Sequence, residues 1–213
     1  ILTTHHIAAD AWSLGILVKE FSAIYSALLV GQPASLIPLT VQYRDYADWQ
    51  QGSDIQQQIA KQLEYWQQQL QDLPSVHQIP FDYTRPAEKS NRGSRVQLKL
   101  SKGLANDLQT LVRRFNITPF MLCHAALSLL VAKYSYEDDV VIGTPVANRN
   151  IKAVEPLIGF FVNTLVLRSD TTNRAVAEYF EHIRTVNLAA LEHQDVPFEQ
   201  VVDRCCAARS TQY

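Results

Sequence analysis

The sequence has little cysteine, methionine or net charge, and each shortage limits what kind of protein it can be. Its 213 residues include three cysteines and one methionine, and 19 basic residues nearly balance 21 acidic ones. Three cysteines, two of them adjacent at Cys205 and Cys206, form no disulfide framework, so we expect a reducing cytoplasm. The net charge of −2 argues against a nucleic-acid partner, which would require a basic surface.

The sequence also shows neither an apolar run of transmembrane length nor the charged and apolar regions of a secretory signal. We therefore expect no membrane partner. The apolar fraction of 47% is too high for a disordered chain and is sufficient for a packed core. Because the single methionine is Met121 and the chain opens on the apolar pair Ile1 and Leu2, we expect a piece of a longer protein.

The spacing of apolar residues predicts an α/β protein in which helices cover a sheet. Predicted helices share an apolar residue at every third or fourth position and cover residues 14–29, 55–73, 104–115, 120–131 and 175–191. Short predicted strands cover residues 95–100, 140–142 and 160–167. The helix over 120–131 is apolar nearly all round and is predicted to be buried, whereas 34–53 reads as irregular and the proline-rich segment 75–94 as a linker.

The densest group of chemically active side chains lies near the start of the chain and consists of His5, His6, Asp10, Ala11, Trp12 and Ser13. Two histidines and a carboxylate suit a metal site, an activated nucleophile, or a histidine base oriented by an acid. A metal would need further ligands, which the other histidines do not supply in a recognisable pair, and Ser13 lies in no nucleophile elbow. The structural alternative is that Asp10 caps a helix beside packed histidines.

Six short motifs follow one another along the chain. The first is H-H-x-x-x-D at residues 5–10, followed after one residue by tryptophan and serine. The others are Y-x-D-Y-A-x-W at 43–49, Y-W-x-x-x-L at 65–70, G-T-P-V-A-x-R at 143–149, I-G-F-F-V-N-T at 158–164 and H-Q-D-V-P-F-E at 193–199. Together they resemble the motifs of the condensation domains of nonribosomal peptide synthetases, which belong to the chloramphenicol-acetyltransferase-like superfamily. Residues 209–213 are similar to the approach to a further family motif.

The resemblance implies a chloramphenicol-acetyltransferase-like, two-lobed α/β sandwich that is incomplete in this chain. Residues 1–74 would form the end of the N-terminal lobe, 75–94 the crossover or linker, and 95–213 the truncated core of the C-terminal lobe. The 213 residues correspond to about half of such a domain, so we expect this piece alone to be inactive and poorly soluble.

The implied function is formation of an amide bond between an acyl or peptidyl thioester on one carrier protein and an aminoacyl group on another. The implied partners are upstream and downstream peptidyl carrier domains and an adjacent adenylation domain. The substrates would ride on the phosphopantetheine arms of the carriers, and this domain itself would bind no cofactor and no metal. Two alternatives stay open: a catalytically silent docking platform for carrier proteins or tailoring enzymes, and another H-H-x-x-x-D acyltransferase that uses a free alcohol or amine.

By resemblance, His6 faces the attacking amine as a base or positioning group, and His5 supports it. Asp10 would be structural, because in the family this aspartate points away from the substrate and pairs with an arginine. Arg149, in the G-T-P-V-A-x-R motif, is the candidate partner.

The resemblance places Trp12 and Ser13 in the same loop without a specific role. It leaves two roles open for Asn163, and the sequence departs from the family at Ala11. Asn163 would either line the tunnel in which the carrier arms meet or satisfy a neighbouring backbone group. The residue after the aspartate is usually glycine in the family and is Ala11 here. If the position requires a positive φ, alanine would strain or reshape the loop.

Overall fold

The computed structural model describes residues 1–74, 76–83, 93–172 and 174–205. Within these ranges the chain forms seven α-helices: α1 Ala11–Leu29, α2 Tyr43–Gln50, α3 Ser53–Gln69, α4 Lys102–Arg114, α5 Pro119–Ser135, α6 Val176–Glu192 and α7 Phe198–Cys205. Two strands, β1 Asp139–Val146 and β2 Asn163–Asp170, pair in a small sheet. Cys206, the motif match at 209–213 and most of the predicted linker, residues 84–92, lie outside the described residues.

The predicted α/β class and the five predicted helices are confirmed, and three of these helices, α1, α4 and α5, begin at a side-chain cap. The Asp10 carboxylate accepts a hydrogen bond from the backbone nitrogen of Ser13 and starts α1 three residues before the predicted helix. Ser101 caps α4 in the same way. Thr118 caps α5, and Pro119 occupies its first turn, where the missing N–H costs nothing.

Two local predictions are wrong. The segment predicted to be irregular contains α2, which begins at a capping box in which the Asp45 carboxylate accepts a 2.7 Å hydrogen bond from the nitrogen of Gln42. The alternating segment 95–100 is not a strand, and Val96 and Leu98 are 97% and 85% exposed. Alternation predicts a strand only where a hydrogen-bonding neighbour exists, and the described residues supply none there.

Two further predictions need correction in extent. The strand predicted at 160–167 begins at Asn163, because the backbone nitrogen of Phe161 donates to the Asp10 carboxylate instead of to a neighbouring strand. Helix α5 is buried on one face only. Met121 and His124 lie on that face, whereas Phe120 and Leu130 are about half exposed.

The contacts within the chain divide it into two compact units that alternate along the sequence. The first unit comprises Ile1–Trp66, Pro145–Leu165 and Gln194–Val201, and the second comprises the described parts of Gln67–Thr144, Val166–His193 and Val202–Tyr213. This division differs from a cut at residues 75–94. The lobe boundaries implied by the resemblance stay a prediction.

Each unit has an apolar core of its own. In the first unit Val154, Leu157 and Phe161 are buried against Val41 and Tyr46. In the second, α5, α6 and the residue two positions before α5 bury a larger cluster, whose members are Ile117, Met121, Ala125, Tyr179, Phe180 and Ile183. The Tyr179 hydroxyl also donates to the Ala125 carbonyl at 3.0 Å, so this packing is specific as well as apolar.

Helix α1 corrects the expectation that the chain lacks an apolar run of transmembrane length. Among the described residues it is the one single helix that is long and apolar enough to cross a membrane, while α4 and α5 meet that criterion only as a pair bent by 101°. One such helix is weak evidence for a span, because helices in the cores of water-soluble proteins have the same length and composition.

Candidate active site

The two histidines of the first motif lie on a short turn that leads into α1. The backbone nitrogen of Ala8 donates to the carbonyl of His5 at 3.0 Å, and that of Ala9 donates to the carbonyl of His6 at 3.3 Å. The His5 imidazole accepts a 3.1 Å hydrogen bond at Nδ1 from the nitrogen of Ile7, so His5 stabilises the turn. Both imidazoles are exposed in this chain, which leaves that of His6 free to meet another molecule.

Asp10, unlike the two histidines, is buried, with an exposed fraction of 3%. Its Oδ1 accepts from the nitrogen of Ser13 at 2.8 Å, its Oδ2 accepts from the nitrogen of Phe161 at 3.1 Å, and both oxygens lie 3.2–3.3 Å from Nη2 of Arg149. Burial alone would raise the pKa of this carboxyl. The hydrogen bonds from Ser13 and Phe161 and the charge of Arg149 outweigh burial and hold the pKa below its usual value, so Asp10 is ionised.

Arg149, the candidate partner of Asp10, forms an ion pair with it. Its side chain is 2% exposed, and Nη1 donates to the carbonyls of Val154 and Leu157 at 2.7 and 2.8 Å. The guanidinium also lies over the ring of Phe161, 4.1 Å from its centroid. Nε makes no hydrogen bond to the described residues. The guanidinium therefore joins the start of α1 to the loop before β2.

Ser13 and Trp12 reinforce this junction. The Ser13 hydroxyl is fully buried, accepts from Nη2 of Arg149 at 2.8 Å and from the nitrogen of Gly159 at 3.0 Å, and donates to the Gly159 carbonyl at 2.8 Å. The Trp12 indole donates to the carbonyl of Glu155 at 3.0 Å. The sequence motif gives neither residue a role, because these partners lie 136 to 146 positions away along the chain.

The strain considered at Ala11 does not occur. Ala11 is the first residue of α1 and is not among the residues with positive φ. Alanine has the highest helix propensity of all residues, so it suits this backbone better than glycine would.

Asn163 uses its whole side chain to hold the segment that contains the H-Q-D-V-P-F-E motif. Its Nδ2 donates to the carbonyls of Gln194 and Val196 at 2.9 and 2.7 Å, and its Oδ1 accepts from the nitrogens of Thr164 and Phe198 at 2.9 and 3.0 Å. Of the two roles considered for Asn163, these bonds correspond to satisfying neighbouring backbone groups.

Tyr43 and Phe160, which the sequence marks only as members of two motifs, lie beside the histidine turn. The Tyr43 hydroxyl donates to the Phe160 carbonyl at 2.9 Å, and the Phe160 ring meets the His6 ring edge to face, with 5.3 Å between centroids. A Cβ added at Gly159 would lie 2.7 Å from Cε2 of Tyr43. The glycine between Ile158 and Phe160 is the signal that indicates such close packing.

The arrangement can present an imidazole to a reacting molecule on a turn that a buried ion pair holds in place. It does not resemble a metal centre, because no three histidine, cysteine or acidic side chains converge within the described ranges. The Asp10 carboxylate is buried and its hydrogen bonds go to Ser13, Phe161 and Arg149, so it orients the backbone of the turn and not the imidazole of His6. An exposed imidazole of this kind suits proton transfer or hydrogen bonding to a substrate.

Comparisons with known proteins agree with this geometry. The family model of the condensation domain matches residues 1–212. Malpinin synthetase of Mortierella alpina is 44% identical over 204 residues, which are 95% of this chain and 3% of that protein. This chain therefore spans a small part of a much longer relative.

Solved structures show the same fold. The X-domain from teicoplanin biosynthesis has a TM-score of 0.87 and 29% identity, over 98% of this chain and 48% of that one, and it has also been solved in complex with OxyB. Holo-AB3403, a four-domain nonribosomal peptide synthetase bound to AMP and glycine, has a TM-score of 0.85 and 29% identity, over 98% of this chain and 16% of that one. The predicted fold class is confirmed.

Proposed function

Because this chain belongs to the condensation-domain family, we propose that the protein containing it forms amide bonds in nonribosomal peptide synthesis. The donor would be an acyl or peptidyl thioester on one carrier protein, and the acceptor an aminoacyl group on another. The observation that supports this most directly is the exposed His6, on a turn held by the buried pair of Asp10 and Arg149, within a family match of 1–212.

The reaction requires that the two carrier-bound substrates are held together and that one proton is moved from the amine to the leaving thiolate. The amine nitrogen attacks the thioester carbonyl carbon with its lone pair, the C–N bond forms, and the C–S bond breaks to release the donor's thiolate. The His6 imidazole would accept the proton that the nitrogen loses and pass it to that thiolate. An α-amine has an unperturbed pKa near 8, so a nearby base raises the fraction that can attack at neutral pH. Holding the two thioesters together provides much of the acceleration.

Asp10 and Arg149 have no direct role in this scheme. Both side chains are almost completely buried and are bonded to the backbone of the loop before β2. They would act by fixing the turn that carries His6. Ser13 would act in the same way, through both backbone groups of Gly159.

The partners that we propose are the upstream and downstream peptidyl carrier domains and an adjacent adenylation domain. Support comes from the length of the similar proteins. The match to this chain covers only 3% of malpinin synthetase and 16% of holo-AB3403, which is a four-domain synthetase. We propose that the phosphopantetheine arms of the carriers present the substrates, that the domain uses no cofactor or metal of its own, and that it works in the cytoplasm.

The test is a condensation assay in which the complete condensation domain receives loaded donor and acceptor carriers. Replacing His6 by alanine should lower the rate of amide formation by about 10²- to 10⁴-fold. The imidazole is exposed in this chain, so we expect the melting temperature of the variant to match that of the parent. Equal amide formation by both proteins would exclude His6 from the reaction.

A second candidate function is a silent docking platform for tailoring enzymes or carrier proteins. The similarity to the X-domain, which has been solved in complex with OxyB, favours it. In the same assay a platform would form no amide with loaded carriers or a free amine and no ester with a free alcohol. It would still bind carriers or a tailoring enzyme and elute with them from a sizing column. The intact pair His5 and His6 favours the enzyme.

A further inference from the structure

A short chain of contacts links Tyr43, at the start of α2, to His6. The Tyr43 hydroxyl donates a 2.9 Å hydrogen bond to the carbonyl oxygen of Phe160. The ring of Phe160 in turn meets the His6 imidazole edge to face, at 5.3 Å between centroids and 89° between planes. Perpendicular aromatic pairs at such distances attract one another.

The backbone of residues 159–161 is held at three consecutive positions. Ser13 binds both backbone groups of Gly159, and Asp10 accepts from the nitrogen of Phe161. Both of those contacts come from the first turn of α1 and its cap. The bond from Tyr43 to the Phe160 carbonyl comes from a different helix and lies at the residue whose ring contacts His6.

The Tyr43 ring is itself well placed to act as this anchor. It packs against the ring of Phe161 at 5.0 Å and 75°. It also lies directly on the backbone of Gly159, where an added Cβ would come within 2.7 Å of Cε2 of Tyr43. The position of the hydroxyl is therefore determined by packing, so its removal changes one hydrogen bond and little else.

His6 depends on this neighbour for its orientation. The structure gives the exposed imidazole one ring contact, with Phe160, and an edge-to-face pair of this kind favours one orientation of the ring. We propose that Tyr43 is a positioning residue for His6, which acts by fixing Phe160. This inference rests on the proposed function, in which His6 meets the attacking amine.

The consequence concerns turnover rather than binding. A histidine whose ring samples fewer orientations spends more time in the one that suits proton transfer, so positioning raises kcat. Tyr43 reaches the imidazole only through Phe160, and its loss therefore leaves the KM for the loaded acceptor carrier unchanged.

The experiment uses the complete condensation domain, loaded carriers and the variant Tyr43→Phe. We expect kcat to fall about 3- to 10-fold, the range that one neutral hydrogen bond provides, at constant KM. The matched control is Tyr46→Phe, because Tyr46 lies on the same helix and packs against Phe161 at 4.9 Å, while its hydroxyl makes no hydrogen bond to the described residues. This control should retain the parent kcat.

A double-mutant cycle separates positioning through Phe160 from a general effect on the fold. In a Phe160→Leu background, Tyr43→Phe should cause no further loss of kcat. Additive losses, or an unchanged kcat in Tyr43→Phe while His6→Ala is inactive, would overturn the inference and leave the proposed function standing. Full activity of His6→Ala would overturn both.

Discussion

At the scale of single residues, the site depends on a buried charge pair. Asp10 and Arg149 are 4% and 2% exposed in their side chains, and each is bonded to backbone groups as well as to the other. Removing both charges from water is costly, so such a pair adds little net stability over an apolar substitute. Removing one partner is different, because it leaves the other charge buried and unpaired.

We therefore predict that Asp10→Asn mainly destabilises the fold. The change should lower the free energy of unfolding by about 3–5 kcal/mol, since Arg149 would keep its charge in a buried site without a carboxylate. Urea denaturation of the complete condensation domain, followed by fluorescence, measures this loss as a lower midpoint.

An exposed ion pair in the same unit provides the control for this measurement. Arg44 and Asp48 lie 3.8 Å apart with side chains 89% and 75% exposed, so Asp48→Asn should change stability by less than about 1 kcal/mol. An Asp10→Asn protein with the parent midpoint but no activity would show that Asp10 takes part in the chemistry, contrary to the structural role proposed for it.

At the scale of elements, the packing of α5 on α6 buries a histidine that the proposed chemistry does not use. His124 on α5 is 4% exposed, and its Nδ1 lies 2.9 Å from Nδ2 of Asn187 on α6. Its Nε2 has no hydrogen-bond partner among the described residues. Burial, followed by the charge of His182, lowers the pKa of His124 to about 4.

This low pKa predicts a loss of stability in mild acid. The folded-state pKa of about 4 lies below the unperturbed value of 6.5, so the unfolded chain binds the proton first. Above about pH 6.5 His124 is neutral in both states and does not lower the free energy of unfolding. As the pH falls from 6.5 towards 4, that free energy decreases by an amount on the order of 3 kcal/mol. Unfolding free energies measured between pH 7 and pH 4 test this.

The variant His124→Asn keeps an acceptor near the position of Nδ1 but cannot titrate, so its stability should fall less steeply with acid than that of the parent. Ser128→Ala is the matched control. Ser128 is buried on the same helix and hydrogen-bonded to Ser169, but it carries no titrating group. The loss of unfolding free energy caused by Ser128→Ala should therefore not depend on pH. Parallel pH curves for the parent and His124→Asn would show that His124 does not cause the acid loss.

At the scale of the whole molecule, the 213 residues leave much apolar surface exposed. Ser13 is the one buried residue of α1, whereas Phe21 and Leu28 are 65% and 67% exposed. Apolar surface of this extent is typical of a binding face or a source of aggregation. The chain also covers only 48% of the X-domain that it resembles.

We predict that the 213-residue chain, produced alone, forms no amide and associates through this surface. Light scattering and the fluorescence of an apolar dye should both be higher than for the complete condensation domain at equal concentration, because the dye binds exposed apolar groups. A monodisperse and active preparation of the short chain would contradict this.

Much of the fold could be predicted from the sequence because helix signals are local. Ser101 and Thr118 cap the helices that follow them within three residues, and the apolar period marks the faces of α1, α3, α4 and α6. Strand signals are not local in this way, because a strand needs a hydrogen-bonding partner that can lie far along the chain. The spacing of residues 95–100 does not reveal whether such a partner exists, and the strand predicted there was wrong.

By itself, the sequence determined the family, through motifs in a constant order. Only the tertiary structure decided which distant groups hold the turn of His5 and His6 in place. Asp10 meets Arg149 across 139 positions, Ser13 meets Gly159 across 146, and Tyr43 meets Phe160 across 117. Periodicity and capping relate residues within one element, whereas these contacts depend on how separate elements pack, which brings together side chains that share no pattern in the sequence.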